Sequence, residues 1–266
     1  MSLVPTMGAL HEGHDALIDR AREQPDLVVV SIFVNPLQFG DGQDFADYPR
    51  DEAGDLVRCE ARAVDVVWAP TPEAMFPAGV GFPAPDPGPL GSRFEGASRP
   101  GHFAGVLKVV RRLLDVTGPC TAYFGQKDAQ QLFLVRTMVK HLDYPVEIRA
   151  CPTVREVDGL ARSSRNARLT PQERAQAGRI FLGLSEAAAL ARAGERDAHV
   201  LVAAVAREVG AASLARLDYV AVVDDGTFEV VETLDPQRPS RVLVAARFPS
   251  ARLIDNLLLP EPGAGS

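Results

Sequence analysis

Across roughly the first 150 residues, short apolar runs rich in Val and Ile alternate with helix-like stretches, which restricts the fold more than any single motif does. The runs are Leu3–Thr6, Leu27–Val34, Val64–Ala69, Thr121–Phe124 and Val146–Ala150. The helix-like stretches are Asp15–Arg22, Asp51–Arg62, Gly105–Val116 and Ala129–Leu142. Strands apolar on both faces and separated by helices predict a parallel sheet covered on each side, hence an α/β fold. Such sheets bind ligands beyond the carboxyl ends of their strands, where the next loops begin. One segment, Pro70–Pro100, has a different texture, with eight prolines, and predicts an ordered surface loop with one short strand.

The pattern changes after residue 152. Thr170-Pro171-Gln172-Glu173 is a capping box, and an Ala-rich helix is expected from Pro171 to about Ala193, stopping at Gly194. Asp197 can cap a second helix ending near Gly210. Three β-like runs follow, Leu217–Val223, Thr227–Glu232 and Arg241–Arg247, the first two joined by a tight Asp224-Asp225-Gly226 turn. Two domains are therefore expected, 1–152 and a smaller α+β domain over 153–266.

Composition removes several classes of function. The net charge of −7 argues against nucleic acid or an anionic membrane as partner. The longest apolar runs are too short to cross a bilayer, and no export signal opens the chain. Cys59, Cys120 and Cys151 are widely spaced and odd in number, so neither a disulfide framework nor a zinc ribbon is implied. These features predict a soluble protein of a reducing compartment, the cytoplasm.

Three segments suited to phosphate fall at strand ends or at the domain junction. Pro5-Thr-Met7-Gly8-Ala9-Leu10-His11-Glu12-Gly13-His14 follows the first strand and opens a helix. Its glycines let an anion approach the backbone, free amides of the first helical turn can point at it, and histidine adds a donor whose charge is adjustable near neutral pH. The alternative is that the histidines cap or pack locally. A zinc-protease reading fails, because His-Glu-x-x-His needs two residues between Glu and the second His. Phe124-Gly125-Gln126-Lys127-Asp128 again joins a strand to a helix. Lys127, one of only three lysines among 28 basic residues, offers a point charge to phosphates. Asp128 could cap that helix or orient the lysine, and Gln131 lies one turn on. The third segment, Asp158 to Asn166, carries Arg162, Ser163, Ser164 and Arg165 and suits either a phosphate clamp or a polar linker. Asn35 and Gln38 end the second strand in amides, which recognise hydroxyl and carboxylate groups without adding charge. Arg99-Pro-Gly-His102-Phe103 reads equally as a further cleft segment or a turn into a helix. No Ser–His–Asp set, Walker loop or dinucleotide glycine motif is present.

Taken together, PTMGALHEGH, VSIFVNPLQF, YPR, EGASRPGHFAGV, YFGQKDAQQ, DGLARSSRN, LVAAR and ARLIDN resemble the pantothenate synthetase (pantoate–β-alanine ligase) family over nearly the whole chain. The resemblance implies a Rossmann-like N-terminal domain, a smaller α+β lid domain and a homodimer. It implies condensation of (R)-pantoate with β-alanine through a pantoyl adenylate, with ATP as substrate carrying Mg²⁺ and no tightly bound organic cofactor. By the same likeness His11 and His14 meet the phosphates, His14 as proton donor, and Lys127 takes the outer phosphates. Met7 to His14, Gly125 to Asp128, Val154 and Arg162 to Arg165 hold ATP. Gln38, Gln131 and Asn35 serve pantoate and β-alanine. Three departures from the family pattern stand out: Gln126 where an acid is usual, Arg162 where Met or Leu is usual, and little sequence ahead of the first strand. They motivate two other readings, an impaired relative that only binds ATP or pantoate, and a nucleotidyltransferase with another acceptor.

Overall fold

A computed structural model describes residues 1–40 and 45–260. The chain divides into two compact units, Met1–Thr153 and Val154–Ser266.

The first unit runs β1 (Ser2–Thr6), α1 (Glu12–Arg22), β2 (Val28–Ile32), a 3-10 turn (Pro36–Gln38), α2 (Glu52–Ala61), β3 (Val66–Trp68), α3 (Pro72–Met75), α4 (Glu95–Ser98), α5 (His102–Thr117), β4 (Cys120–Gly125), a 3-10 turn (Gln126–Asp128), α6 (Ala129–His141) and β5 (Val146–Cys151). Its five strands are parallel in the order β3-β2-β1-β4-β5. Side chains alternate across a strand, so Leu3 and Val4 of β1, both fully buried, enter different cores. Leu3 joins Leu107, Leu114 and Val135 of α5 and α6, whereas Val4 joins Leu17 and Ile18 of α1. The sheet order reverses between β1 and β4, leaving a crevice at their carboxyl ends. The chain's first two phosphate-suited loops leave from those two strand ends.

Pro70–Pro100 forms helical turns where one short strand was expected. Thr71 caps α3 through its side chain, with Pro72 at the first position. Gln130 on α6 pins the segment, donating to the carbonyls of Leu90 and Arg93 and accepting from the Glu95 amide. The same helix start therefore anchors this segment and carries Gln131.

The second unit contains α7 (Pro171–Ala177), α8 (Arg179–Arg192), α9 (Ala198–Gly210) and an antiparallel sheet β6 (Arg216–Asp224), β7 (Ser240–Arg247), β8 (Arg252–Leu258). The Thr170–Glu173 capping box forms as expected. The single helix expected to Ala193 is instead two, broken at Gly178, where a Cβ would come 2.9 Å from the Asp158 carboxylate. Glycine supplies little resistance to that break. The run Thr227–Glu232 makes only an isolated bridge, Val223 to Val230, and no ladder. Asp224 Oδ1 accepts from the Gly226 and Thr227 amides and the Thr227 hydroxyl, and Phe228 adopts φ +60° with its ring buried. The turn brings the run back alongside β6 for one short antiparallel contact, the Val231 amide donating to the Val222 carbonyl. The third strand is β8, whose Asp255 and Asn256 interrupt the apolar pattern although both are buried.

Candidate active site

At the end of β1, Gly8 (φ +79°) and Ala9 (φ +49°) take left-handed conformations and bring the chain into α1. His11 caps that helix: its Nδ1 accepts from the Gly13 amide at 3.1 Å. His14, three residues on, accepts from the His11 amide through its own Nδ1 at 3.3 Å. The two histidines thus form a reciprocal capping box, with ring centroids 4.2 Å apart. Because each Nδ1 accepts, the proton of each neutral ring sits on Nε2. Gly13 is required by this arrangement, since a Cβ there would lie 2.8 Å from His11 Cε1.

Two expectations change at this loop. Open main-chain amides were expected to cradle an anion, yet the Gly8 amide donates to Thr6 Oγ1, the Ala9 and Leu10 amides to Asp55, and the His11 and Gly13 amides to the histidines themselves. Those five amides are therefore already paired within the protein. His14 was also expected to carry a charge adjustable near neutrality. Burial, and secondarily the neighbouring His11, lower its pKa to about 3, so it stands as a neutral imidazole. Asp128 pulls the other way and Lys127 the same way as His11. Those influences bring the β1 and β4 loops to one place.

On the β4 side, Lys127 Nζ lies 3.7 Å from Asp128 Oδ1. Asp128 occupies the N-cap of α6 without a side-chain capping bond, so of its two expected roles it takes the one of orienting the lysine. Gln126 lies half-buried in the 3-10 turn, and Gln131 in the first turn of α6.

The amides after β2 divide their work. Asn35 was expected as a substrate ligand, but it is fully buried and its amide is spent. Its Oδ1 accepts from the Leu37 amide, and its Nδ2 donates to Gln38 Oε1 and to the Gly105 carbonyl. Asn35 thus positions Gln38, whose Nε2 donates to Met7 Sδ. The Gln38 carbonyl is held from the other side by His102, which donates from Nδ1 at 2.9 Å. His102 Nε2 then accepts from Arg99 at 3.1 Å. Burial, and next the Arg99 guanidinium, lower the His102 pKa to about 4. Gly105 lets α5 meet this turn closely, because a Cβ there would fall 2.2 Å from the Leu37 carbonyl oxygen. Arg99 and His102 were read as either cleft or turn; Asp55 and Gly105 were missed. The glycine in GHFAGV was the available signal for the second, and nothing local signals Asp55.

In the second unit, residues 154–162 form a small hairpin: the Arg162 amide donates to the Val154 carbonyl, and Glu156 to Leu160. Arg155 fastens it to β8 by a two-pronged pair with Asp255, at 2.6 and 3.1 Å, and stacks on Phe181. The unusual Arg162 pairs with Glu156 at 3.1 Å, so its charge is met inside the hairpin. Ser163 caps the turn Ser164–Arg168, accepting from the Arg165 amide.

Comparison with known proteins decides the family. The model of the family described as pantoate-beta-alanine ligase matches residues 1–258. The chain belongs to the pantoate–β-alanine ligase family. A pantothenate synthetase of Chloroflexus aggregans is 49% identical over 263 residues, covering 97% of this chain and 93% of that one. The one from Rubrobacter xylanophilus is 49% identical over 266 residues, covering 98% and 91%. The crystal structure of pantothenate synthetase from Thermus thermophilus superposes with a TM-score of 0.92 at 45% identity, covering 97% of this chain and 92% of that chain. Pantoate-β-alanine ligase from Francisella tularensis, solved with β,γ-ATP and β-alanine, gives a TM-score of 0.77 at 34% identity, with 97% and 88% covered. As a pantoate–β-alanine ligase the chain is an enzyme that forms a carbon–nitrogen bond.

Proposed function

We propose that this ligase activates pantoate with ATP at the β1–β4 crevice and passes it to β-alanine as a pantoyl adenylate. An amine does not displace oxide from a carboxylate, so amide formation needs an activated acyl group. The pantoate carboxylate attacks the α-phosphorus and pyrophosphate leaves; the β-alanine amine then attacks the acyl carbon and AMP leaves. Both reactants of the first step are anions, so catalysis consists mainly of charge neutralisation and alignment. The observation that carries the reading is the reciprocal histidine box facing the electrostatic reach of Lys127 and Asp128.

In this reading His11 and His14 donate from Nε2 to phosphate oxygens as charge grows in the transition state. With a pKa near 3, His14 acts as a neutral hydrogen-bond donor, and a bound triphosphate raises that value. Lys127 takes the outer phosphates, with Met7 to Gly13 and Gly125 to Asp128 shaping the nucleotide site. Val154 is assigned to adenine, and Arg162, Ser163, Ser164 and Arg165 to phosphate. Gln38 and Gln131 grip pantoate, and Gln38 also serves β-alanine. Magnesium enters as part of the substrate. The described residues hold no cluster of three His, Cys, Asp or Glu able to cage a metal. That fits an ion coordinated chiefly by phosphate oxygens.

A homodimer is part of the proposal. It is supported by the exposed apolar side chains of Leu56 and Val57 on α2 and Val66 on the edge strand β3. Cys59, Cys120 and Cys151 are buried and unpaired, which supports a cytoplasmic setting. No helix among the described residues is long and apolar enough to cross a membrane. The test is release of AMP and pyrophosphate with each acid omitted in turn. Pyrophosphate release needing only pantoate, and AMP release needing both acids, is the expected result. AMP release without β-alanine, or none with both acids, would overturn the adenylate route.

A further inference from the structure

Asp55 lies on α2, some 45 residues beyond the histidine loop in sequence, and its carboxylate is buried against that loop. Oδ2 accepts from the Ala9 amide at 2.9 Å and Oδ1 from the Leu10 amide at 2.6 Å. These are the two amides immediately ahead of the His11 cap. The same carboxylate lies so close to Gly8 that a Cβ there would come 2.8 Å from Oδ2. One turn further along α2, Arg58 reaches Asp15, the residue after His14, at 2.6 Å, and Arg62 at the helix C-cap reaches it at 2.9 Å. The histidine box is therefore gripped by α2 on both sides.

We propose that Asp55 is a positioning residue for the ATP-dependent step: its carboxylate takes the place of an anion on the loop amides and fixes the two histidine rings for the phosphates. Ala9 sits in a left-handed conformation that is unfavourable for an L-residue, and the bond to Asp55 is what retains it. An Asn at 55 offers one acceptor oxygen and turns an N–H toward the second amide. The loop then relaxes, the His11 amide moves from His14 Nδ1, and both Nε2 donors lose their aim. A misplacement of about 1 Å in such groups costs on the order of 100-fold in rate.

This inference rests on the proposed role of the histidines, so the experiment separates the two. Pyrophosphate release from ATP and pantoate is measured for the wild-type chain and for Asp55→Asn, Gly8→Ala and His14→Ala. The tautomers of His11 and His14 are read by ¹⁵N NMR in the wild type and the first two variants. Gly8→Ala drives a methyl against the clamp without altering Asp55, and carries the test if Asp55→Asn does not fold. Expected for both is a kcat lowered roughly 30- to 100-fold, with KM for ATP within about threefold. The His14 Nδ1 resonance should also shift, because the ring loses the hydrogen bond from the His11 amide. A folded variant with kcat within about threefold of wild type and an unchanged histidine pattern overturns the proposal. Normal turnover by His14→Ala removes the histidines from the mechanism instead, and the NMR pattern alone then judges the clamp.

Discussion

At the scale of single residues, Gly13 separates activity from stability. A methyl there strikes the His11 ring, while alanine in place of a helical glycine favours the helix by about 1 kcal/mol. Loss of the histidine cap costs a similar amount. Gly13→Ala is therefore expected to keep its urea midpoint close to wild type and lose at least tenfold in kcat, checked by paired denaturation and turnover assays. Legibility at this scale was uneven. The types and order of the motif residues pointed to loops at strand ends, and the structure puts them after β1 and β4, because loop chemistry is local. Asn35 was harder to read, because a side-chain amide looks alike in sequence whether it meets a ligand or a neighbouring Gln38. Only the burial of Asn35 and its bond to Gly105, distant in sequence, tell the two apart.

Among elements, the tie between the 154–162 hairpin and β8 is the point of greatest leverage in the second unit. Asp255 is buried and faces Arg155, while Arg241 reaches the Asn256 amide at 2.6 Å. Arg155→Met leaves a buried carboxylate without its cation, a loss of about 3–5 kcal/mol. Urea denaturation should show that loss, and a midpoint equal to wild type would contradict it. The same polar pair explains why β8 was not legible. Strand patterns are read from alternating apolar residues, and buried charge supplied with a distant partner breaks the alternation without breaking the strand. The β1 to β4 strands, by contrast, are dominated by apolar runs and β5 alternates Val, Ile and Ala with Glu147 and Arg149, so all five were readable to within a few residues. Helix α1 begins three residues earlier than its apolar pattern suggested, because a histidine is an uncommon cap.

For the whole molecule, the protonation states set a direction for acid stability. His102 has a folded pKa near 4 against 6.5 in the unfolded chain, so the unfolded state binds more protons between those values. Stability is then full above pH 6.5 and declines as pH falls to 4, by about 3 kcal/mol from His102 alone. His14 adds to the decline down to about pH 3. Glu173, held near 2 chiefly by the Thr170 amide and also by Ser250, contributes stability above pH 4.5 that is lost as pH falls toward 2. Asp15 and Asp55, whose pKa values burial raises, act in the opposite sense, gaining stability as pH falls through their raised values toward 3.8. Two histidines pull stability down as pH falls below 6.5 and two carboxylates pull the other way, so the prediction is that the histidines win and urea midpoints fall from pH 7 to 4.5. A flat profile there would show that the histidines are not held neutral.

The reversal of strand order between β1 and β4 also has a consequence in time. Ser2 pairs with Thr121, so the strand that launches the histidine loop waits for a partner made nearly 120 residues later. At a synthesis rate of about 5–20 residues per second, that interval is roughly 6–24 s. Through it, the ribosome-bound chain carries its histidines without Lys127, which lies within electrostatic reach of His14 in the folded chain. The crevice between the two strand ends forms only when β4 slides in against β1, and a chain interrupted before then holds half of it.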